Sequence, residues 1–149
     1  MNTRAAAAEV LAQVLRGESL SIVLPRCKEI IDESQHGFLS ELCYGSLRWY
    51  PRIELYLQTL LKKPLRSKDL EIQTLLAAGI YQLMYLKTPE YAAVNESVDA
   101  TKVLKKPWAK DVVNAVLRSF LRKKHGLDDE LSTKRPFATA HPDWLLNAL

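Results

Sequence analysis

Residues Asp69 to Leu86 read DLEIQTLLAAGIYQLMYL. Ile72, Leu75, Leu76, Gly79, Ile80 and Leu83 recur at the i, i+3, i+4, i+7 spacing of one helix face. The other side is not polar either, because Leu70, Ala77, Tyr81, Met84 and Tyr85 occupy it. A helix apolar nearly all round is wrapped by other helices rather than lying on a surface. Gly79, in the middle of the strong face, costs about 1 kcal/mol against alanine, an expense offset where another helix approaches closely. The stretch therefore predicts the central helix of an all-α domain.

The flanking segments agree with that assignment. Lys62 to Lys68, KKPLRSK, reads as a loop broken by Pro64, with Ser67 as a cap and Asp69 and Glu71 well placed in the first turn of the central helix. Thr88-Pro89 places an N-cap and an N1 proline ahead of a helix from Glu90 to about Lys105, with Tyr91, Val94, Val98 and Thr101 on one side. Pro107 starts another helix, whose buried stripe is Val112, Val113, Val116, Leu117, Phe120 and Leu121. Arg118, Arg122, Lys123 and Lys124 close it at the end where the dipole favours cations, and His125-Gly126 reads as its stop. Toward the N-terminus, Thr3 is the expected N-cap of an amphipathic helix from Arg4 to about Arg16, ended by Gly17. Ser19 or Ser21 opens a second helix through Ile30 or Ile31, with Pro25 near its first turns. Ser34 opens a long third stretch that keeps Phe38, Leu39, Leu42, Cys43, Leu47 and Tyr50 on one face. Pro51 kinks or splits it, and the pattern resumes at Ile53, Leu57, Leu60 and Leu61. No alternating β-branched run suggests a strand.

After the helical region, residues 127–140 read as an irregular linker with a helical turn around Asp128 to Leu131. The last stretch, HPDWLLNAL, starts a helix at Pro142 too short to stand alone, as expected where a longer protein continues. The expected division is a helical domain over 1–126 and a linker and junction over 127–149.

A chain of 149 residues is one domain by length and can hold a core without disulfides. No apolar run reaches the ~18 residues that span a bilayer, and MNTRAAAAEV, with Glu9, is not a signal peptide. Cys27 and Cys43 form no CxxC pair and sit among apolar helix positions, so they read as buried free thiols in a cytoplasmic protein. The net charge of +4 and pI of about 9.1 mildly favour an anionic partner.

Enzyme chemistry is hard to find in these residues. The five glycines make neither GxGxxG nor a P-loop, so no nucleotide or methyl-donor cradle is encoded. His36, His125 and His141 stand at helix boundaries, and Asp128-Asp129-Glu130 reads as a solvated loop. Neither catalysis, metal nor cofactor is expected of these residues. What remains is binding. Basic residues cluster at Lys62-Lys63-Arg66-Lys68, at Lys102-Lys105-Lys106-Lys110 and at Arg118-Arg122-Lys123-Lys124, and Arg48 and Arg52 flank Trp49-Tyr50. Cations beside aromatics suit RNA, through phosphate attraction and stacking on unpaired bases. Solvated helix ends and a core Trp49 would give the same pattern.

Glu41-Leu42-Cys43-Tyr44-Gly45-Ser46-Leu47-Arg48 followed by Ala78-Gly79-Ile80-Tyr81-Gln82-Leu83 resembles the N-terminal region of the RsmB (Fmu/Sun) family, bacterial 16S ribosomal RNA cytosine-5 methyltransferases. The segments from Pro89 to Val98, Val113 to Arg118 and His141 to Leu146 (HPDWLL) resemble that family in the same order. The family's N-terminal region is similar to the antitermination factor NusB. This implies an all-helical RNA-binding bundle of two packed helical subdomains, with about six to eight helices. It also implies an S-adenosylmethionine-binding methyltransferase domain beyond this chain, partnered with it in cis, which supplies the catalytic cysteines; Cys27 and Cys43 do not match their contexts. The implied role here is to position 16S ribosomal RNA. Arg4, Arg48, Arg118, Arg122 and Lys123 are the expected RNA contacts. Asn95, Glu96 and Asn114 read as a polar network between helices or a functional patch. The alternative reading is a NusB-like antitermination or protein-interaction module, and Trp144 and Leu145 are candidates for pairing in a homodimer.

Overall fold

The computed structural model describes residues 2–133. Among them are seven α-helices and no strand: α1 (Thr3–Leu15), α2 (Leu20–Lys28), α3 (His36–Arg48), α4 (Tyr50–Leu60), α5 (Leu70–Tyr85), α6 (Glu90–Val103) and α7 (Lys110–Thr133). Short 3-10 turns at Glu33–Gln35, Ser67–Asp69 and Pro107–Ala109 lead into α3, α5 and α7. The expected all-α bundle is present. The central helix is α5, which packs against α1, α3, α4, α6 and α7. Every residue from Thr74 to Leu83 is buried.

Its neighbours come close at glycines. A Cβ on Gly79 would lie 3.0 Å from both methyls of Leu117 and 3.5 Å from Ser97 Oγ, so this glycine lets α6 and α7 approach. A Cβ on Gly45 would collide with the Cζ–Oη end of the Tyr81 side chain, so α3 crosses α5 at a position open only to glycine.

The first helix departs from the amphipathic reading. Ala5 to Ala8 are wholly buried, as are Val10, Leu11 and Ala12, so α1 is a second inner helix. Alanine brings little bulk between helices, and the backbones meet closely: Thr74 Oγ1 donates to the carbonyl of Ala8 at 2.7 Å. Asn2, not Thr3, caps α1, accepting from the amides of Arg4 and Ala5 at 2.7 and 3.2 Å. The Thr3 hydroxyl is buried and donates to Gln35 Oε1 at 2.9 Å. Gly17, at φ +110°, ends the segment as expected.

Other boundaries shift for local reasons. Ser34 lies in the 3-10 turn capped by Asp32, and α3 begins at His36. Pro51 splits the long stretch at Trp49 and sits in the first turn of α4, where no amide is needed. Pro89 takes the N-cap position expected of Thr88. The inner face of α6 is Ala93, Val94, Ser97, Ala100 and Thr101, whereas Tyr91 is 72% exposed; small residues face inward because Gly79 draws this helix close. Behind α6, Lys105 adopts φ +62°, the Lys106 amide donates to Thr101 O and the Lys105 amide to Lys102 O. That pair of bonds is a Schellman reversal made without glycine. Conversely, α7 does not stop at His125-Gly126 but runs to Thr133. Glycine lowers helix propensity without forbidding helical dihedrals, and nothing here demands a reversal. The HPDWLLNAL stretch lies outside the described residues.

Replacing Gly45 with alanine forces the Tyr81 ring aside and breaks its hydrogen bond to Glu41 Oε1 (3.0 Å). We expect Gly45→Ala to destabilise the protein by about 2 kcal/mol despite its better helix propensity. Urea denaturation checks this, and Gly45→Ala combined with Tyr81→Leu is expected to cost less than the two single changes added together.

Candidate nucleic-acid interface

Arg4, expected as an RNA contact, is an interior residue. Its Nε and one Nη donate to Gln82 Oε1 at 3.1 and 2.9 Å, and its other Nη lies 3.0 Å from Glu96 Oε2. The guanidinium also covers the Phe38 ring, 4.7 Å from its centroid. Burial lowers its pKa and Glu96 opposes the shift. With 7% of its surface exposed, Arg4 ties α1 to α3, α5 and α6 and is not placed to meet a phosphate. The antiparallel run of α1 on α5 causes this: Arg4 meets Gln82 at one end and Arg16 meets Glu71 at the other.

The remaining expected contacts gather differently. The Trp49 ring stacks on Tyr85 at 5.0 Å, and Tyr85 in turn meets Tyr81 at 5.6 Å. The guanidinium of Arg52 lies 4.7 Å from the Trp49 ring and that of Arg48 5.4 Å away. Arg48 and Tyr44, one turn apart on α3, are both exposed. The Nε of Arg52 is buried without a hydrogen-bond partner. Trp49 is thus both partly core and the seat of a cationic surface, because Pro51 breaks the chain there and turns the indole toward the end of α5.

The same end of α5 receives α7. Lys124 Nζ donates to the carbonyl of Leu83 at 2.6 Å, satisfying a C-terminal acceptor two residues before Tyr85. Arg122 and Lys123 precede Lys124 and are exposed. Arg118 and Arg122 are held outward by short-range bonds, Arg118 Nε to Asn114 Oδ1 at 2.8 Å and Arg122 Nη2 to Ser119 Oγ at 3.0 Å. The C-terminal end of α5 is thus met by Trp49, with Arg48 and Arg52 beside it, through Tyr85, and by Lys124 of α7 through the Leu83 carbonyl. The sequence counts Lys124 in a basic run but gives no sign that it meets the end of α5, and it gives Tyr85 no part in this arrangement. The aromatic and basic letters were visible, but which of them share an end of the bundle depends on tertiary packing.

Other basic groups are committed to the fold. Lys106 Nζ lies 2.7 Å from Asp69 Oδ1 and from the carbonyl of Lys68, and Arg16 reaches Glu71 and the carbonyl of Ser67. Glu96 turns to Arg4, while Asn95 and Asn114 line a shallow cleft between α6 and α7, so these three residues form no single network. Cys43 is buried and its thiol is pushed up to about 12 by desolvation; Cys27 is half-buried, shifted the same way and also unpaired. A thiol so shifted stays protonated and unreactive at neutral pH. Among the described residues no group of histidine, cysteine and acidic side chains could hold a metal ion, and no helix is long and apolar enough to cross a membrane.

Residues 1–122 match the profile of the NusB family. The chain belongs to the NusB family. Over its whole length it is also 43% identical to ribosomal RNA small subunit methyltransferase B of Pseudomonas putida and 42% identical to that of Vibrio vulnificus. The Pasteurella multocida protein of the same name is 41% identical. The aligned region is 34%, 35% and 33% of those proteins, so this NusB-family chain spans about a third of the curated relatives it matches, corresponding to their N-terminal part.

The site geometry separates two kinds of arginine. Arg4→Met leaves Gln82 Oε1 and Glu96 without their cation, and we expect a loss of about 2–4 kcal/mol of stability in urea denaturation. RNA affinity measured well below the unfolding temperature is expected to stay within about twofold, since Arg4 offers no phosphate an open donor.

Proposed function

We propose that this NusB-family domain binds ribosomal RNA and positions it for a methyltransferase portion of the same polypeptide. The observation that carries this reading is the group of Arg48, Arg52, Trp49 and Tyr85 at the C-terminal end of α5, where Lys124, next to the exposed Arg122 and Lys123 of α7, also docks. Guanidinium groups held beside stacked aromatic rings suit unpaired RNA, where phosphate attraction sets register and exposed rings accept bases. The relatives' name supports small-subunit ribosomal RNA as the partner. By the same analogy, the methyl donor, S-adenosylmethionine, belongs to the other portion of such a protein, the product is a methylated cytosine in 16S RNA, and the compartment is the cytoplasm. The five expected contacts reduce to four, Arg48, Arg118, Arg122 and Lys123, with Arg52 added.

Fluorescence anisotropy with a labelled 16S hairpin and an unrelated hairpin, each at two salt concentrations, tests the reading. Specific binding is expected, weakened roughly tenfold at low salt by Arg118→Ala with Arg122→Ala, with a salt slope reduced by about 1–2. Equal binding to both hairpins that vanishes at moderate salt would favour a protein-interaction role, as in antitermination, and would count against RNA positioning.

A further inference from the structure

Two basic runs of the sequence, Lys62 to Lys68 and Lys102 to Lys110, take no part in the surface at the C-terminal end of α5, and the fold brings them to one place. Lys106 Nζ donates to the carbonyl of Lys68 and lies 2.7 Å from Asp69 Oδ1, which pins the turn before α7 to the turn before α5. Beside that junction, Trp108, Lys62, Lys63 and Arg66 line one groove of about 610 Å³ between the α4–α5 loop and the first half of α7. Trp108 has 53% of its surface in water and, among the described residues, stacks on no other ring and no cation. Trp49, by contrast, is already engaged by Tyr85 and Arg52. Lys62, Lys63 and Arg66 are exposed and make no ion pair among the described residues. Two carboxylates share the groove. Asp69 is buried and held by Lys106, and Asp111 stands in the first turn of α7, where the helix dipole offsets part of its charge. The uncommitted charge around the indole is therefore mainly positive.

An open indole ringed by uncommitted cations suits an unpaired base and its flanking phosphates. Leu65 and Val112 share the groove, and an apolar wall accepts the face of a base as an indole does. A duplex, with its bases stacked on one another, offers the ring no free face. The groove is also continuous with the basic face of α7. That helix runs alongside α5 from the Lys106–Asp69 contact to the Lys124–Leu83 contact, and the sixteen residues of α5 cover about 24 Å. Ser119, which lines the groove, accepts from Arg122 Nη2 at 3.0 Å. We propose that Trp108 is a second base-stacking seat, with Lys62, Lys63 and Arg66 holding phosphates, so that an unpaired RNA strand lies along α7 between the two ends of α5. The choice of RNA as occupant rests on the proposed function; the seat itself lies outside the surface named there.

Anisotropy titration of the full 149-residue chain with a labelled unpaired oligoribonucleotide, and with the duplex it forms with its complement, tests this. Trp108→Ala is expected to weaken binding of the unpaired strand about tenfold with its salt slope unchanged, because the ring carries no charge, and Trp108→Phe to recover most of the loss. Lys63→Ala with Arg66→Ala should lower the salt slope by about 1–2. The duplex should bind more weakly and be indifferent to Trp108→Ala. In nuclear magnetic resonance spectra the Trp108 indole signal should move as the unpaired strand is added. The Trp49 indole signal should be the same in the free Trp108→Ala variant as in the parent chain, reporting an intact fold. RNA binding that Arg118→Ala with Arg122→Ala weakens, but that Trp108→Ala leaves within about twofold, far below the loss of a stacked base, would overturn this proposal and leave the proposed function standing. A Trp108 indole that moves on concentrating the protein without RNA would assign this face to a second copy and overturn it too. Absence of binding to any RNA would overturn both. Binding lost with Trp108→Ala and untouched by Arg118→Ala with Arg122→Ala would uphold this seat and count against the surface at the other end.

Discussion

The backbones of α1 and α5 lie close enough for the Thr74 hydroxyl to reach the carbonyl of Ala8 at 2.7 Å. Most of the bundle depends on that approach. Four consecutive alanines keep α1 thin, and Gly79 and Gly45 keep two other crossings of α5 open to Leu117 and Tyr81. Tight crossings bring many apolar atoms into contact at little side-chain entropy cost, because alanine and glycine lose almost none. They also leave little freedom to rearrange, so residues carried on these helices are placed firmly. Some of the polar groups caught between the helices are bound to one another: Arg4, Gln82 and Glu96 form one set, and Thr3 and Gln35 another, whereas the buried hydroxyls of Ser46 and Ser97 have no partner.

The same packing sorts the cations. Those drawn inward, Arg4 above all, become structural. Those near the C-terminal end of α5 stay outward, where the helix dipole tolerates them and where Trp49 and Tyr85 supply flat surfaces. A net charge of +4 is small, so any affinity for a polyanion depends on local concentration of charge rather than on the total. Arg48 and Arg52 gather on the Trp49 ring at the end of α5, while Lys106 and Arg16 are spent on Asp69 and Glu71 elsewhere.

Periodicity revealed much of this fold because α5 and α7 carry strong apolar stripes. The glycine at position 79 was readable as a close approach for the same reason. The alanine run was not readable as core: alanine has the same pattern in a solvated helix as in a buried one, and only the partner helix decides. Tyr91 was misplaced because its size outweighed Ala93, Ser97 and Ala100, the residues that fit against α5. His125-Gly126 reads as a stop because glycine commonly ends helices, but it ends them only where a left-handed residue is required, as at Gly17. At the candidate site the residue types were legible and their grouping was not. Arg4 and Arg48 look alike in the sequence, and only the antiparallel seating of α1 on α5 buries one and leaves the other exposed.

On the proposed function, RNA meets the surface around the C-terminal end of α5 and not the buried arginine beneath it. Mapping chemical-shift changes on the isotopically labelled chain as a 16S hairpin is added tests that claim most directly. Changes are expected at Arg48, Trp49, Arg52, Tyr85, Arg118, Arg122 and Lys123, with the Arg4 Hε signal unmoved. Changes centred on α2, at Arg26 and Lys28, or a displaced Arg4 signal with α7 silent, would contradict it.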